Sequence, residues 1–206
     1  MLAVIVGVVA ILVTRGGDDD PQGTPTTGAT TTGATTQSAS PTTSTPAPPV
    51  VPPFGSIPGA SNSTSTTGAL SLTQGLDNRV VTQPEFDGLK GCGADSGLTQ
   101  ELKATAWTGR GWVYSCRDVA AAQRVADNLA GYFHAQQFKD IDLGTKTVFA
   151  TANSAGGTTT VHSVYVSSTA VVFFETVSTD AATAQQKARE MFAAARTTYP
   201  SSYPVG

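Results

Sequence analysis

Apolar and polar positions divide the chain into three stretches. Residues 2–13, Leu-Ala-Val-Ile-Val-Gly-Val-Val-Ala-Ile-Leu-Val, contain no polar side chain, and Arg15 and Asp18-Asp19-Asp20 follow closely. Gly16 to Gly68 has almost no large apolar residue. From Ala69 onward the apolar positions become periodic, and this is where secondary structure is expected.

Ala69 to Lys90 is mixed, and Pro84 divides it into two short pieces. Gly91-Cys92-Gly93 reads as a loop. Ala104 to Ser115 carries Trp107, Trp112, Val113 and Tyr114 around Gly109-Arg110-Gly111, which predicts one bent strand or a hairpin with a Gly-rich turn. Ser115 and Asp118 stand in an S-x-x-D cap arrangement. Val119, Ala122, Ala126, Leu129 and Phe133 then recur at helical spacing, predicting an amphipathic helix over 117–138.

Lys139 to Thr151 alternates in part, with a turn at Asn153 to Gly157. Val161 to Val166 and Ala170 to Val177 predict two strands joined tightly through Ser167-Ser168-Thr169. Thr179 or Asp180 can cap a last helix with Ala184, Ala188, Met191, Phe192 and Ala195 on one face, ending before Pro200. The order is strand, helix, three strands, helix. Short turns make neighbouring strands antiparallel, so the expected fold class is α+β: a single antiparallel sheet with two helices packed on one face. Leu129 and Phe173 are expected core residues.

The middle stretch holds 14 Thr, 9 of the 12 Pro and 7 Ser, and its one aromatic is Phe54. Proline removes backbone donors, and few large side chains offset the entropy of ordering, so residues 16–68 are expected to form a disordered stalk outside any packed core. Thr-Thr-Gly-Ala-Thr occurs there twice in tandem, at Thr26 and Thr31. Dense Thr and Ser beside Pro also suits O-glycosylation as well as a bare linker. The expected organisation is a transmembrane anchor at 1–15, the stalk at 16–68 and a folded domain at 69–206.

The apolar run is shorter than the about 20 residues a spanning helix needs. A cleaved signal peptide suits that length better, yet no basic segment precedes it and Thr14-Arg15-Gly16 is not an A-x-A site. A single-pass anchor is the favoured reading, with further apolar residues and a basic flank expected upstream. The stalk and cysteines place the C-terminal domain outside the cytoplasm, at the cell membrane.

The 138 residues from Ala69 suffice for one domain, with 11 Lys and Arg against 12 Asp and Glu. No basic field exists to draw nucleic acid, and no nucleic-acid partner is expected. Cys92 and Cys116 are the only cysteines, and a disulfide between them is expected. The sharper alternative is a reactive thiol at Cys116, at a helix start.

His134 and His162, the whole histidine inventory, lack ligand-spaced neighbours, so neither a metal nor a cofactor is expected. No G-x-S-x-G, dinucleotide or P-loop pattern occurs, and no catalytic residue is assigned. Asp140 and Asp142 would share one face of a strand, more simply as a solvated edge than as a cation site. Trp107, Trp112 and Tyr114 are the candidate binding platform, stacking on sugar rings or a partner's apolar groups. The alternative is structural: one tryptophan belongs to the core, and across a hairpin the two would be cross-strand neighbours.

Apolar run, Thr/Pro stalk and small Ala/Val/Thr-rich domain with two cysteines together resemble stalked single-pass envelope proteins of actinobacteria. The run from Val161-His162-Ser163-Val164-Tyr165-Val166 to Tyr199-Pro200 is similar to the strand-strand-helix end of uncharacterised members. The layout also resembles the outer half of that phylum's receptor-type serine/threonine kinases. The resemblance implies no catalytic residues. It implies a membrane-anchored, extracytoplasmic binding or sensing module whose partner is an envelope protein or wall glycan. A structural envelope protein is the alternative, and a hydrolase the weaker one.

Overall fold

The computed structural model describes residues 52–63 and 66–202. The expected anchor and most of the expected stalk lie outside the described residues. The C-terminal part of the chain forms one compact unit.

Its elements run β1 (Ser61–Asn62), β2 (Gly68–Ser71), α1 (Leu72–Asp77), α2 (Gln83–Gly91), β3 (Ser96–Lys103), β4 (Trp107–Ser115), α3 (Val119–Ala135), β5 (Lys139–Asp140), β6 (Phe149–Ala155), β7 (Thr158–Ser167), β8 (Ala170–Ser178) and α4 (Ala181–Ala195). Every strand pairing is antiparallel, in one sheet of order β1-β3-β4-β8-β7-β6-β5, with β2 also on β3. The α+β class with a single antiparallel sheet therefore holds, now with four helices.

The helices do not share one face. Along β8, Val171 and Phe173 point to the core formed with α3, while Val172 and Phe174 point to the core formed with α4. Strand β7 divides likewise, Val164 and Val166 against Val161 and Tyr165. A strand buried on both faces reads as a continuous apolar run, and Ala-Val-Val-Phe-Phe is one. The sheet is accordingly the middle layer of three. Leu129 and Phe173 are buried in the α3 core as expected.

Three local expectations change as well. Gly109-Arg110-Gly111 is not a turn, because β4 runs straight through it, nine residues in register with β8. The hairpin turn is Ala104 to Ala106, and β3 precedes it. The cap of α3 is Asp118 rather than Ser115: its Oδ1 accepts from the Ala121 amide at 2.6 Å. Asp180 caps α4 in the same way, accepting from the Thr183 amide. Gly156 and Gly157, both at positive φ, make the β6–β7 turn, as a two-residue type I′ connection requires.

The packed unit also begins before Ala69. Phe54, expected in the stalk, is fully buried beside Ile57 in the α4 core. Its ring lies edge-on to Phe174 at 5.7 Å and occupies the place of a side chain at Gly111, where a Cβ would overlap it. Gln100 fixes the segment: its Oε1 accepts from the Phe54 amide at 2.8 Å, and its Nε2 donates to the Gly55 carbonyl at 2.7 Å. Residues 52–60 thus strap the sheet beside α4, and one aromatic among prolines is enough to seat them.

Candidate functional site

The α3 face of the sheet carries buried charge. From β4, Arg110, Trp112 and Tyr114 alternate onto it beneath α1 and α2. Arg110 donates through Nη1 and Nη2 to both Glu85 oxygens, each at 3.0 Å, and through Nη1 to the Val80 carbonyl at 2.6 Å. Its Nε and Nη2 reach Glu175 at 3.1 and 3.2 Å.

Glu85 also accepts from Trp112 Nε1 at 3.1 Å and from the Thr82 amide at 2.8 Å, where it closes the capping box of α2. On the other side His162 Nε2 lies 2.6 Å from Glu175 Oε2, and Phe133 and Phe138 stack on the imidazole. A carboxylate only accepts, so Nε2 holds the proton.

Burial pushes the Glu175 carboxyl up, but the His162 hydrogen bond and the Arg110 charge outweigh it and hold its pKa at about 2. Burial works against the Arg110 charge too, and the two glutamates reverse that, raising its pKa. The network is an ion cluster that ties α2 to β4, β8 and β7; its charged groups are all paired, while the buried His162 Nδ1 has no hydrogen-bond partner among the described residues. A buried charge stripped of its partners costs several kcal/mol, so these residues hold position as a set.

Trp107, Trp112 and Tyr114 do not form an exposed platform. All three are buried, at 5, 0 and 0 % exposure. Trp112 stacks on Phe173 at 5.2 Å, and Trp107 lies in the opposite core. The tryptophans are therefore not cross-strand neighbours. They are residues of one strand, and an odd separation sends them to opposite faces.

Asp140 and Asp142 do not act together either. Asp140 meets His134 Nε2 at 2.6 Å on the surface, and Asp142, beyond the end of β5, accepts from the Gly144 amide. Among the described residues no cluster of metal-ligating side chains occurs.

Cys92 and Cys116 form the expected disulfide, joining the C-cap of α2 to the residue two before the α3 cap. The thiol alternative at Cys116 falls with it. The bridge closes one end of a cleft of about 240 Å³ between α2 and α3.

The α3 side of that cleft presents Ala121, Arg124, Val125 and Asn128, a stripe at helical spacing, with Arg117 from just before the cap. The α2 side presents Asp87, Gly88 and Gly91. A Cβ at Gly91 would meet nothing within 4 Å, and one at Gly88 only Val125 Cγ1 at 3.6 Å. The cleft is therefore the room that two glycines and one alanine leave between the helices.

Its charges are open. Among the described residues Arg117 makes only 3.4 Å contacts, to Asp118 and the Gly91 carbonyl. Arg124 makes no hydrogen bond or ion pair among the described residues, and its charge only helps to lower the Asp118 carboxyl after the Ala121 amide has done so. Asp87 accepts from Gln83 within α2 at 2.8 Å.

None of Glu85, Arg110, Glu175, Arg117 or Arg124 was singled out from the sequence as a site residue. The signals were an Arg two and four residues before Trp112 and Tyr114 in one strand, and a lone Glu inside the most apolar strand. Arg124 and Asn128 follow the helical spacing of the 117–138 stretch, whereas Arg117 lies before the cap of α3.

No family model and no curated protein matches this chain. Among solved structures, the extracellular domain of PknH from Mycobacterium tuberculosis is similar over 66 % of this chain and 81 % of that one, at 9 % identity and a TM-score of 0.43. It is an extracellular domain of the kind the layout resembles, and a likeness this distant carries no argument about what this chain does.

Proposed function

We propose that this chain is a non-catalytic binding or sensing module, displayed outside the cytoplasm on a stalk and held at the membrane by its N-terminal apolar run. The observation that carries this reading is the α2–α3 cleft, walled by two helices, locked by a disulfide and lined by arginines with little to bind among the described residues. A rigid concavity with unspent polar groups is the ordinary form of a ligand site. The disulfide suits the oxidising outside. A partner in the wall or envelope, glycan or protein, would supply what the cleft takes up.

The structural envelope reading has one observation in its favour, the burial of both tryptophans. The cleft weighs against it, because a purely structural domain gains nothing from leaving a helix interface unfilled.

Thermal unfolding of the full chain, with and without the filtered low-molecular-weight fraction of an envelope digest, tests the reading. The expected result is a raised Tm for the parent and none for Gly91→Leu, whose side chain fills the cleft. An equal response of the two proteins, or no response of either, overturns it.

A further inference from the structure

The cleft's chemistry narrows what it takes, and the step rests on the binding reading above. We infer that the α2–α3 cleft binds an oxyanion group, a carboxylate or phosphate, carried on a small hydroxylated molecule. Two guanidinium groups line the cleft, Arg124 from the second turn of α3 and Arg117 from the residue just before the Asp118 cap. A guanidinium presents its N–H donors in a fork that matches two oxygens of one anionic group.

Among the described residues nothing occupies that fork at Arg124. Arg110 shows what this fold does with an arginine it uses internally: two carboxylates and a carbonyl surround it. Arg124 has none of these and stands over open space.

The rest of the lining sets the remainder of the ligand. Asp87 repels a second anionic group on the α2 side but accepts from hydroxyl groups, and the Asn128 amide both donates and accepts. Val125 and Ala121 give a small apolar floor. The wall at Gly88 and Gly91 admits a ring or chain close to the backbone of α2, because neither residue carries a side chain there. An anionic sugar or a sugar phosphate has this combination of one charged end, several hydroxyls and a compact ring.

The test is a titration of the ¹⁵N-labelled full chain in detergent micelles with inorganic phosphate, then glucuronate, with glucose as the neutral control. The readouts are the Nε–H signals of Arg117 and Arg124 and the backbone amides of Gly88 and Gly91. Saturable shifts at these positions are expected, with half-saturation at about millimolar for so small a probe.

Arg124→Gln is expected to weaken binding about tenfold or more, and Arg196→Gln, at the end of α4, to leave it unchanged. Saturation by phosphate alone assigns a phosphoryl group, and by glucuronate alone a carboxylate. Shifts that do not saturate, that appear equally at Arg196, or that survive Arg124→Gln overturn the inference. Saturable binding of glucose at the same residues also overturns it while sustaining the binding reading. Silence from both anions overturns it too, and the thermal test then decides the binding reading on its own.

Discussion

The two faces of the sheet are built from the same strands and solve different problems. Toward α4 and the Phe54 strap, the interface is Leu102, Val113, Tyr165, Val172 and Phe174 against Ala184, Ala188, Met191 and Phe192. Toward α2 and α3, the same strands present Arg110, His162 and Glu175 among Trp112 and Phe173. Apart from the Gln100 hydrogen bonds to the strap, the first face rests on apolar area, which is non-directional and tolerant of exchange at constant volume. The second depends on particular atoms meeting at hydrogen-bond distance. The cleft opens on that second side, where the ion cluster and the disulfide fix the two helices that wall it.

The largest test of this contrast is Arg110→Met. It leaves Glu85 and Glu175 buried without their shared cation, and urea unfolding should show a loss of about 4 kcal/mol. Adding Glu85→Gln and Glu175→Gln should recover part of that loss. A single variant as stable as the parent would mean that the cluster is ornamental.

On the apolar face Phe54→Ala should cost about 3 kcal/mol by emptying the space over Gly111. Phe54→Leu should cost less than about 1.5 kcal/mol. Equal losses for the two would mean that the shape of the ring, rather than its apolar volume, seats the strap.

Acid gives the smaller effect. Glu175 stays ionised in the folded protein to about pH 2. In the unfolded chain a glutamate takes up its proton at about pH 4.3. The unfolded state therefore binds the proton first, so the contribution is complete above about pH 5, declines as the pH falls, and is gone by about pH 2. It amounts to about 2–3 kcal/mol. Unfolding free energy followed from pH 6 to 2 should fall more steeply in the parent than in Glu175→Gln, and identical slopes would remove Glu175 from the account.

The same contrast explains what could be read from the chain. Val161 to Val166, Ala170 to Val177 and the Ala184–Ala195 stripe were legible because apolar spacing alone specifies them. Strand β3, Ser-Gly-Leu-Thr-Gln-Glu-Leu-Lys, was not. Its inward Thr99 and Gln100 are fully buried yet polar, satisfied by the Thr66 carbonyl and by the strap, contacts 33 to 46 residues away. Gly109-Arg110-Gly111 looked like a turn for a related reason. Its glycines make room for Phe54 and neighbouring side chains, and its charge pairs with residues 25 and 65 positions distant. Long-range polar partners leave no period in the sequence.

The binding account turns on the glycine wall of the cleft. In the Gly88→Ala, Gly91→Ala double variant the methyl at 91 enters open space and the one at 88 meets Val125 at ordinary contact distance, and helical alanine is preferred to glycine by about 1 kcal/mol. Unfolding free energy should therefore rise by about 1–2 kcal/mol, while the affinity for phosphate or glucuronate falls about tenfold. Gly131→Ala, where the same methyl on α3 also meets nothing within 4 Å but lies away from the cleft lining, should raise stability and leave binding untouched. A double variant that gains stability and binds as the parent does would contradict the claim that this cleft is the site.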